Sequence, residues 1–273
     1  MIGSALVHNN VGAAEETKTL QDSNTSDMFN EEEPKIVVSV QDPDFYNFDR
    51  DRVEASFGEK QVWAAYDDDG MPRFYGLVHS VVSQEPFKLC ISWLNSKNNE
   101  ELGTMMWIDS GFYMTSGRFS IGERRTNESL NLFSHRVKWT KDAEGFVNIY
   151  PAKDDVWAVY TNWSPSWDSS TPQEVVNEYE MVEVIQDFSE EVGVMVMPLV
   201  KVLGFKTVFR RDSNPWAFSL KELLRFSHQV VSHMLTGEEG ENAPEGCLEL
   251  DPAALSPELL QVLTEEEIGE LEN

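Results

Sequence analysis

The chain has 273 residues, 41% hydrophobic and 11% aromatic, which is enough apolar side chain to build a substantial core. Its formal net charge of −27 is concentrated at the ends: residues 238–273 hold twelve Asp or Glu and no Lys or Arg, and residues 1–33 hold seven acids against Lys18, leaving −9 for the middle. That balance argues against a nucleic-acid partner, which needs concentrated Lys and Arg, and Cys90 and Cys247 are too few for a disulfide framework or a cysteine zinc site.

Residues 1–41 are rich in Asn, Ser, Thr, Asp and Glu without sustained periodicity and read as a disordered acidic arm. No run of eighteen apolar residues occurs and the first residues lack a basic segment followed by an apolar stretch, so the expectation is a soluble intracellular protein, in the nucleus or alternatively the cytosol. From residue 42 strand signals dominate. In "VWAAYDDDGMPRFYGLVHSVV" two aromatic and β-branched runs flank an Asp-Gly pair that can supply positive φ, which predicts a hairpin. "FKLCISWL" follows as a third strand with Phe87, Leu89, Ile91 and Trp93 on one face.

Two pentads then recur. "VWAAY" at 62–66 returns as "VWAVY" at 156–160, and "FSHRV" at 133–137 returns as "FSHQV" at 226–230, with offsets of 94 and 93. The same order at the same spacing predicts an internal duplication, with a first β-rich unit at 42–145 and a second at 146–237, each a small β-barrel or curled sheet with short helices. The second copy is stretched by "TNWSPSWDSSTPQ" between its first two strands, and Ser219 and Glu222 stand in capping-box spacing before "FSHQV". Residues 238–273 read as an acidic tail, with "SPELLQVLTEEEIGEL" as a terminal helix or two short ones. The fold class is mainly β.

Regular strand alternation would put Phe133, His135, Val137 and Trp139 on one face, so His135 and His228 read as architectural histidines without a nucleophile motif beside them. Asp67, Asp68 and Asp69 lack the DxDxDG spacing of a calcium loop, and no histidine pair falls in a ligand pattern, so neither metal nor other cofactor is expected. Aromatic rings beside carboxylates are what a lysine-binding cage requires. The peptide-binding candidates are therefore Tyr66, Asp67, Asp68, Asp69, Tyr75 and Trp93 in the first unit and Trp157, Tyr160, Trp163 and Trp167 in the second.

The segments "PDFYNFDRDRVEASFGEKQVWAAYDDDG", "LFSHRVKW", "DDVWAVYTNWSPSW", "GVMVMPLVKV" and "RFSHQV" resemble the plant-specific domain of unknown function carried C-terminally by many plant J-domain (DnaJ-like) proteins. The resemblance covers roughly residues 42–263. It implies a non-catalytic plant module associated with chaperone or with nuclear, chromatin-linked complexes. No His-Pro-Asp tripeptide occurs in the chain, so the element by which J domains stimulate their chaperone partner is missing and no co-chaperone activity follows. The functional expectation is a non-enzymatic interaction module for a basic or lysine-bearing partner, such as a histone tail or nuclear factor. The alternative is a chaperone-type accessory domain that holds client proteins.

Overall fold

The computed structural model describes residues 44–96 and 104–262, and the expected arm at 1–41 lies outside them. Fifteen strands and a few short helices occur among the described residues. Val62–Ala65 (β1) and Phe74–Ser83 (β2) pair antiparallel with Ala65 opposite Phe74, around a turn in which Gly70 takes φ of +78°. Lys88–Asn95 (β3) joins β2, and Phe87, Leu89 and Ile91 share an apolar cluster against which Trp93 packs. Helix α1 (Thr104–Asp109) leads to Gly117–Asn127 (β4), Phe133–Val137 (β5), Thr140–Lys141 (β6) and Val147–Ile149 (β7). These strands form one antiparallel sheet in the order β5-β1-β2-β3-β4-β7-β6.

A second sheet repeats that order. Val156–Tyr160 (β8) is followed by the Trp-rich loop, helix α2 (Gln173–Val176), Tyr179–Ser189 (β9), Gly193–Lys201 (β10), Val208–Arg211 (β11) and Trp216–Phe218 (β12). Phe226–Val230 (β13), Ser232–Met234 (β14) and Leu248–Leu250 (β15) complete it. Its order is β13-β8-β9-β10-β11-β15-β14, with β12 on β10. In both sheets the FSH strand lies at one end beside the VWA strand.

Connectivity forces both sheets to curl. β5 and β6 stand at opposite ends of the first sheet, yet only Lys138 and Trp139 separate them; β13 and β14 are separated by Val231 alone. Seven flat strands would span about 29 Å at the usual inter-strand spacing, far beyond what one or two linking residues can reach. The inner face of the first sheet therefore gathers Val62, Leu77, Phe119, Val137 and Val147 into a cluster that is continuous with Val156, Tyr160, Tyr179 and Leu250 of the second. The outer faces carry their own clusters, Trp63 with Phe133 in one sheet and Trp157 with Phe226 in the other. Burial on both faces explains why the VWA strands read as continuous apolar runs rather than as alternation.

Two details depart from the sequence reading and one agrees with it. The segment from 238 was expected as a tail, but Leu248, Glu249 and Leu250 are buried as β15 between β11 and β14, because two leucines at strand spacing complete the inner cluster. Ser219 and Glu222 do form a capping box, around a 3-10 helix, Leu220–Arg225. Residues 257–260 form turns instead of a helix, and the rest of that expected helix lies outside the described residues.

Gly193 starts β10 at φ of +84°, and a Cβ there would stand 2.1 Å from the carbonyl oxygen of Phe218 on β12. Gly204 has nearly the same φ, +81°, with nothing within 4 Å. Gly204→Ala is expected to cost about 1 kcal/mol for its left-handed backbone. Gly193→Ala should cost clearly more, since β12 must also move, and urea unfolding of the two variants measures the difference.

Candidate functional site

Both FSH strands are bulged at the same place. In the first sheet Val62 faces Val137 and Ala65 faces Phe133 across a register shift, and in the second Val156 faces Val230 and Val159 faces Phe226 across another. The extra residue switches the strand from one face to the other, so Phe133 and Phe226 join the outer clusters while Val137 and Val230 join the inner one. Phe133 and Val137 thus do not share a face, as regular alternation would have placed them. The Ser-His pair fills each bulge: Ser134 Oγ lies 2.9 Å from His135 Nδ1, and Ser227 Oγ lies 3.0 Å from His228 Nδ1.

The second pair is fully partnered. His228 Nε2 donates to the carbonyl oxygen of Ala254 (2.9 Å), which makes Nδ1 the acceptor of the Ser227 hydroxyl proton. Ser227 Oγ in turn accepts from Arg73 Nε (3.2 Å). Burial pushes His228 down to about 3 and His135 to about 4, so both are neutral near pH 7. His135 differs in one respect. It is 9% exposed, and its Nε2 has no hydrogen-bond partner. The Gln229 side chain faces it across the seam between the sheets and favours its charged form through a side-chain hydrogen-bond contact, but the two groups do not meet at ordinary bonding geometry, so Gln229 Oε1 is likewise buried without a well-made partner.

These two groups lie on a cleft of about 540 Å³ where β5 of one sheet approaches β13 of the other. Tyr46 and Phe48 bring rings to it, and Asp51, Asp154 and Asp155 bring carboxylates. Asp155 is held by Lys138 (2.9 Å) and by the Ala152 amide (3.1 Å), whereas Asp154 is exposed with φ of +70°. Arg52, also on the lining, is consumed internally: it donates to the Ser134 carbonyl (3.0 Å), to Asp49 (2.7 Å) and to the buried carboxylate of Asp251. Asp251 caps the turn Pro252–Ala254 whose last carbonyl receives His228.

Arg73 is the counterpart anchor. It is 4% exposed, pairs with the fully buried carboxylate of Asp67 (2.7 Å) and with Asp69 (3.2 Å), and reaches Tyr179 Oη at 2.6 Å. Among the expected peptide-binding residues, Asp67 is therefore an internal counter-ion that also caps the amides of Asp69 and Met71. Asp68 is exposed. Tyr75, Trp157, Tyr160 and Trp167 are buried, Tyr75 donating to the Thr115 carbonyl (2.7 Å) and Trp167 packing 5.4 Å from Tyr160. Tyr66, Trp93 and Trp163 are half-buried, Trp93 stacked 6.2 Å from Phe133 and Trp163 beneath the Arg225 guanidinium at 5.9 Å. A small pocket of about 130 Å³ unites Asp69, Arg73 and Tyr160, but the aromatics do not assemble into one open cage. The His135 and Gln229 cleft was missed because its two halves are 94 residues apart and depend on bulges, which the pentads do not announce. Among the described residues no group of three or more His, Cys, Asp or Glu is arranged to hold a metal ion.

Two outcomes follow from these networks. Arg73→Leu leaves the buried Asp67 carboxylate without its cation and should destabilise by about 3–5 kcal/mol, while Asp67→Asn added to it should recover part of the loss in urea unfolding. Because both histidines titrate lower when folded, stability is complete above pH 6.5 and declines below it, by about 1.4 kcal/mol per pH unit per histidine toward pH 4. Burial raises Asp155 and Asp251, which act with the opposite sign, and lowers His79, which adds to the slope, so the share of one histidine is read by difference between variants. His135→Gln should remove about 1.4 kcal/mol per pH unit from that slope in urea unfolding measured against pH.

No curated protein and no solved structure matches the chain. The family model described as Domain of unknown function (DUF3444) matches residues 34–239, roughly three quarters of the sequence, and the chain belongs to that family.

Proposed function

We propose that this protein is a non-enzymatic interaction module that receives a lysine-bearing segment of a basic partner in the cleft between its two FSH strands. The observation that carries the reading is the pair of buried, unpartnered atoms, His135 Nε2 and Gln229 Oε1, on a cleft with exposed carboxylates at Asp51 and Asp154. A buried polar atom without a partner costs about 1–3 kcal/mol, which a peptide amide or lysine ammonium entering the cleft would offset. Tyr46 and Phe48 also line the cleft beside Asp51, where exposed Arg50 stands over the Tyr46 ring and pairs with Asp51 at 3.7 Å, an internal cation in the place a partner's lysine would take. Two of the three acids after VWAAY, Asp67 and Asp69, are already answered by Arg73.

An internal duplication belongs to the same proposal, supported by the matching strand orders and by the bulge at each FSH. After duplication one bulge histidine acquired the Ala254 carbonyl as its partner and the other kept a free face on the cleft. The resemblance to the domain of plant J-domain proteins makes nuclear, chromatin-linked complexes the reading for its setting. Burial of Ser134 and Ser227, at 2% and 0%, supports the non-enzymatic part, since neither hydroxyl can meet a substrate.

An array of lysine-bearing peptides, unmodified and trimethylated, tests the proposal. Binding should weaken severalfold in Asp51→Asn/Asp154→Asn, in which Asn retains tolerance of the left-handed backbone at 154. A wild-type protein that retains no basic peptide, or a double variant that binds as well as wild type, would refute it.

A further inference from the structure

We infer that the open end of the first curled sheet is a second docking site, one for an acidic peptide segment of a partner, on a surface separate from the cleft. Val62, Leu77, Ser92 and Arg124 lie opposite one another across β1, β2, β3 and β4 and so share the inner face. Toward one end that face is filled by the core. Toward the other, the inward positions become Ser80, Cys90, Ser92 and Arg124, and a concavity of about 790 Å³ opens there. Lys60, Lys141 and Arg124 line it, with His79 hydrogen-bonded to Ser92 (2.8 Å) between them and Trp139 and Ile121 as apolar wall. A barrel mouth of this volume is a common location for a ligand.

The three cations form no ion pair with any described residue, and Glu59 is the one carboxylate on the lining. What sets them apart in a chain of net charge −27 is that three such cations share one concave lining. The second sheet differs at the matching position. Where the first sheet sets Leu77 opposite Val62, the second sets Glu183 opposite Val156, and Glu183 takes two hydrogen bonds from Arg211 on β11. The first sheet has no carboxylate at that position, and Arg124 faces the opening. Lys60 is also held in place at a cost. Its φ is +62°, its amide donates to the Val78 carbonyl (2.8 Å), and its own carbonyl accepts from Trp139 Nε1 (3.1 Å).

The spread of charge selects the occupant. Lys60 continues the line of β1 and bonds to β2 through Val78, and Arg124 stands on β4, three inter-strand spacings or about 14 Å away along the sheet. Anions spaced along an extended chain fit that separation, and a single phosphate does not bridge it at backbone level.

Fluorescence anisotropy with labelled decaglutamate and the full chain, at about 0.15 M ionic strength so that the repulsion of the acidic chain is screened, tests the inference. Wild type should bind, and Lys60→Asn/Arg124→Gln/Lys141→Gln should bind at least tenfold more weakly. The control Lys153→Gln/Arg210→Gln/Lys221→Gln removes equal charge elsewhere and should bind as wild type, as should Asp51→Asn/Asp154→Asn, which separates this site from the cleft. A readout that needs no variant is the amide shift of Ser80, Cys90, Ser92 and Gly122 on titration. Absence of binding, equal loss in the control triple variant, unmoved amides at those four residues, or displacement by inorganic phosphate at the peptide's own concentration each overturns it.

Discussion

A buried polar relay holds the two sheets in register, and most of the structure depends on it. It begins at Asp67 in the first hairpin, passes through Arg73 to Ser227 and His228, and continues to the Ala254 carbonyl of the turn that Asp251 caps; Asp251 then returns to Arg52 before β1. Each donor meets an acceptor. Taking two arginines and two carboxylates out of water is costly unless every remaining lone pair and proton is satisfied, and here serine, tyrosine and backbone groups do so. The relay stabilises little beyond what an apolar seam would, but it specifies geometry: an arginine fork and a histidine tautomer admit one arrangement, whereas leucines would admit several.

That relay also decides where charge remains for a partner. The Asp67, Asp68 and Asp69 run is the densest acidic cluster of the first hairpin, yet its first carboxylate is fully buried and its third is shared with Arg73. Composition counts such groups as available and structure removes them. What stays at the surface is smaller and elsewhere: Asp154 and the Arg50-paired Asp51 at the cleft, with Arg136 exposed beside them, and Lys60, Arg124 and Lys141 at the mouth of the first sheet. The two surfaces have opposite sign, so a single partner that carried both a basic and an acidic segment would be oriented on the molecule by charge alone.

Much of the fold was legible in the sequence because its strands are local. β1, β2 and β3 follow from aromatic and β-branched runs around Asp69-Gly70, and the recurring pentads mark both VWA and both FSH strands, whose pairing with one another only the structure shows. The candidate site was much less legible. Trp157 and Tyr160 read as surface aromatics only if the VWA strand has a solvent face, and curling gives it two buried faces. β15 escaped notice because Leu248 and Leu250 are embedded in acidic sequence, where two apolar residues make too short a pattern to stand out. Arg73 looked like a hairpin residue like any other, since its partners Ser227 and Tyr179 are more than a hundred residues away.

The form of recognition follows from how the sheet ends are closed. β5 and β13 are the strands at which added backbone would have to pair, and an unprotected edge invites strand addition. Their outward carbonyls are already taken: Ser134 by Arg52, Phe226 by the Thr115 hydroxyl, and Val231, just after β13, by the Asp251 amide. A peptide in the seam would find few main-chain acceptors and two unpartnered side-chain atoms, His135 Nε2 and Gln229 Oε1. Under the proposed function, specificity at this cleft would therefore fall to side chains and not to a strand ladder. The bulge matters for the same reason, since a regular β5 would extend its pairing with β1 and turn His135 away from the seam.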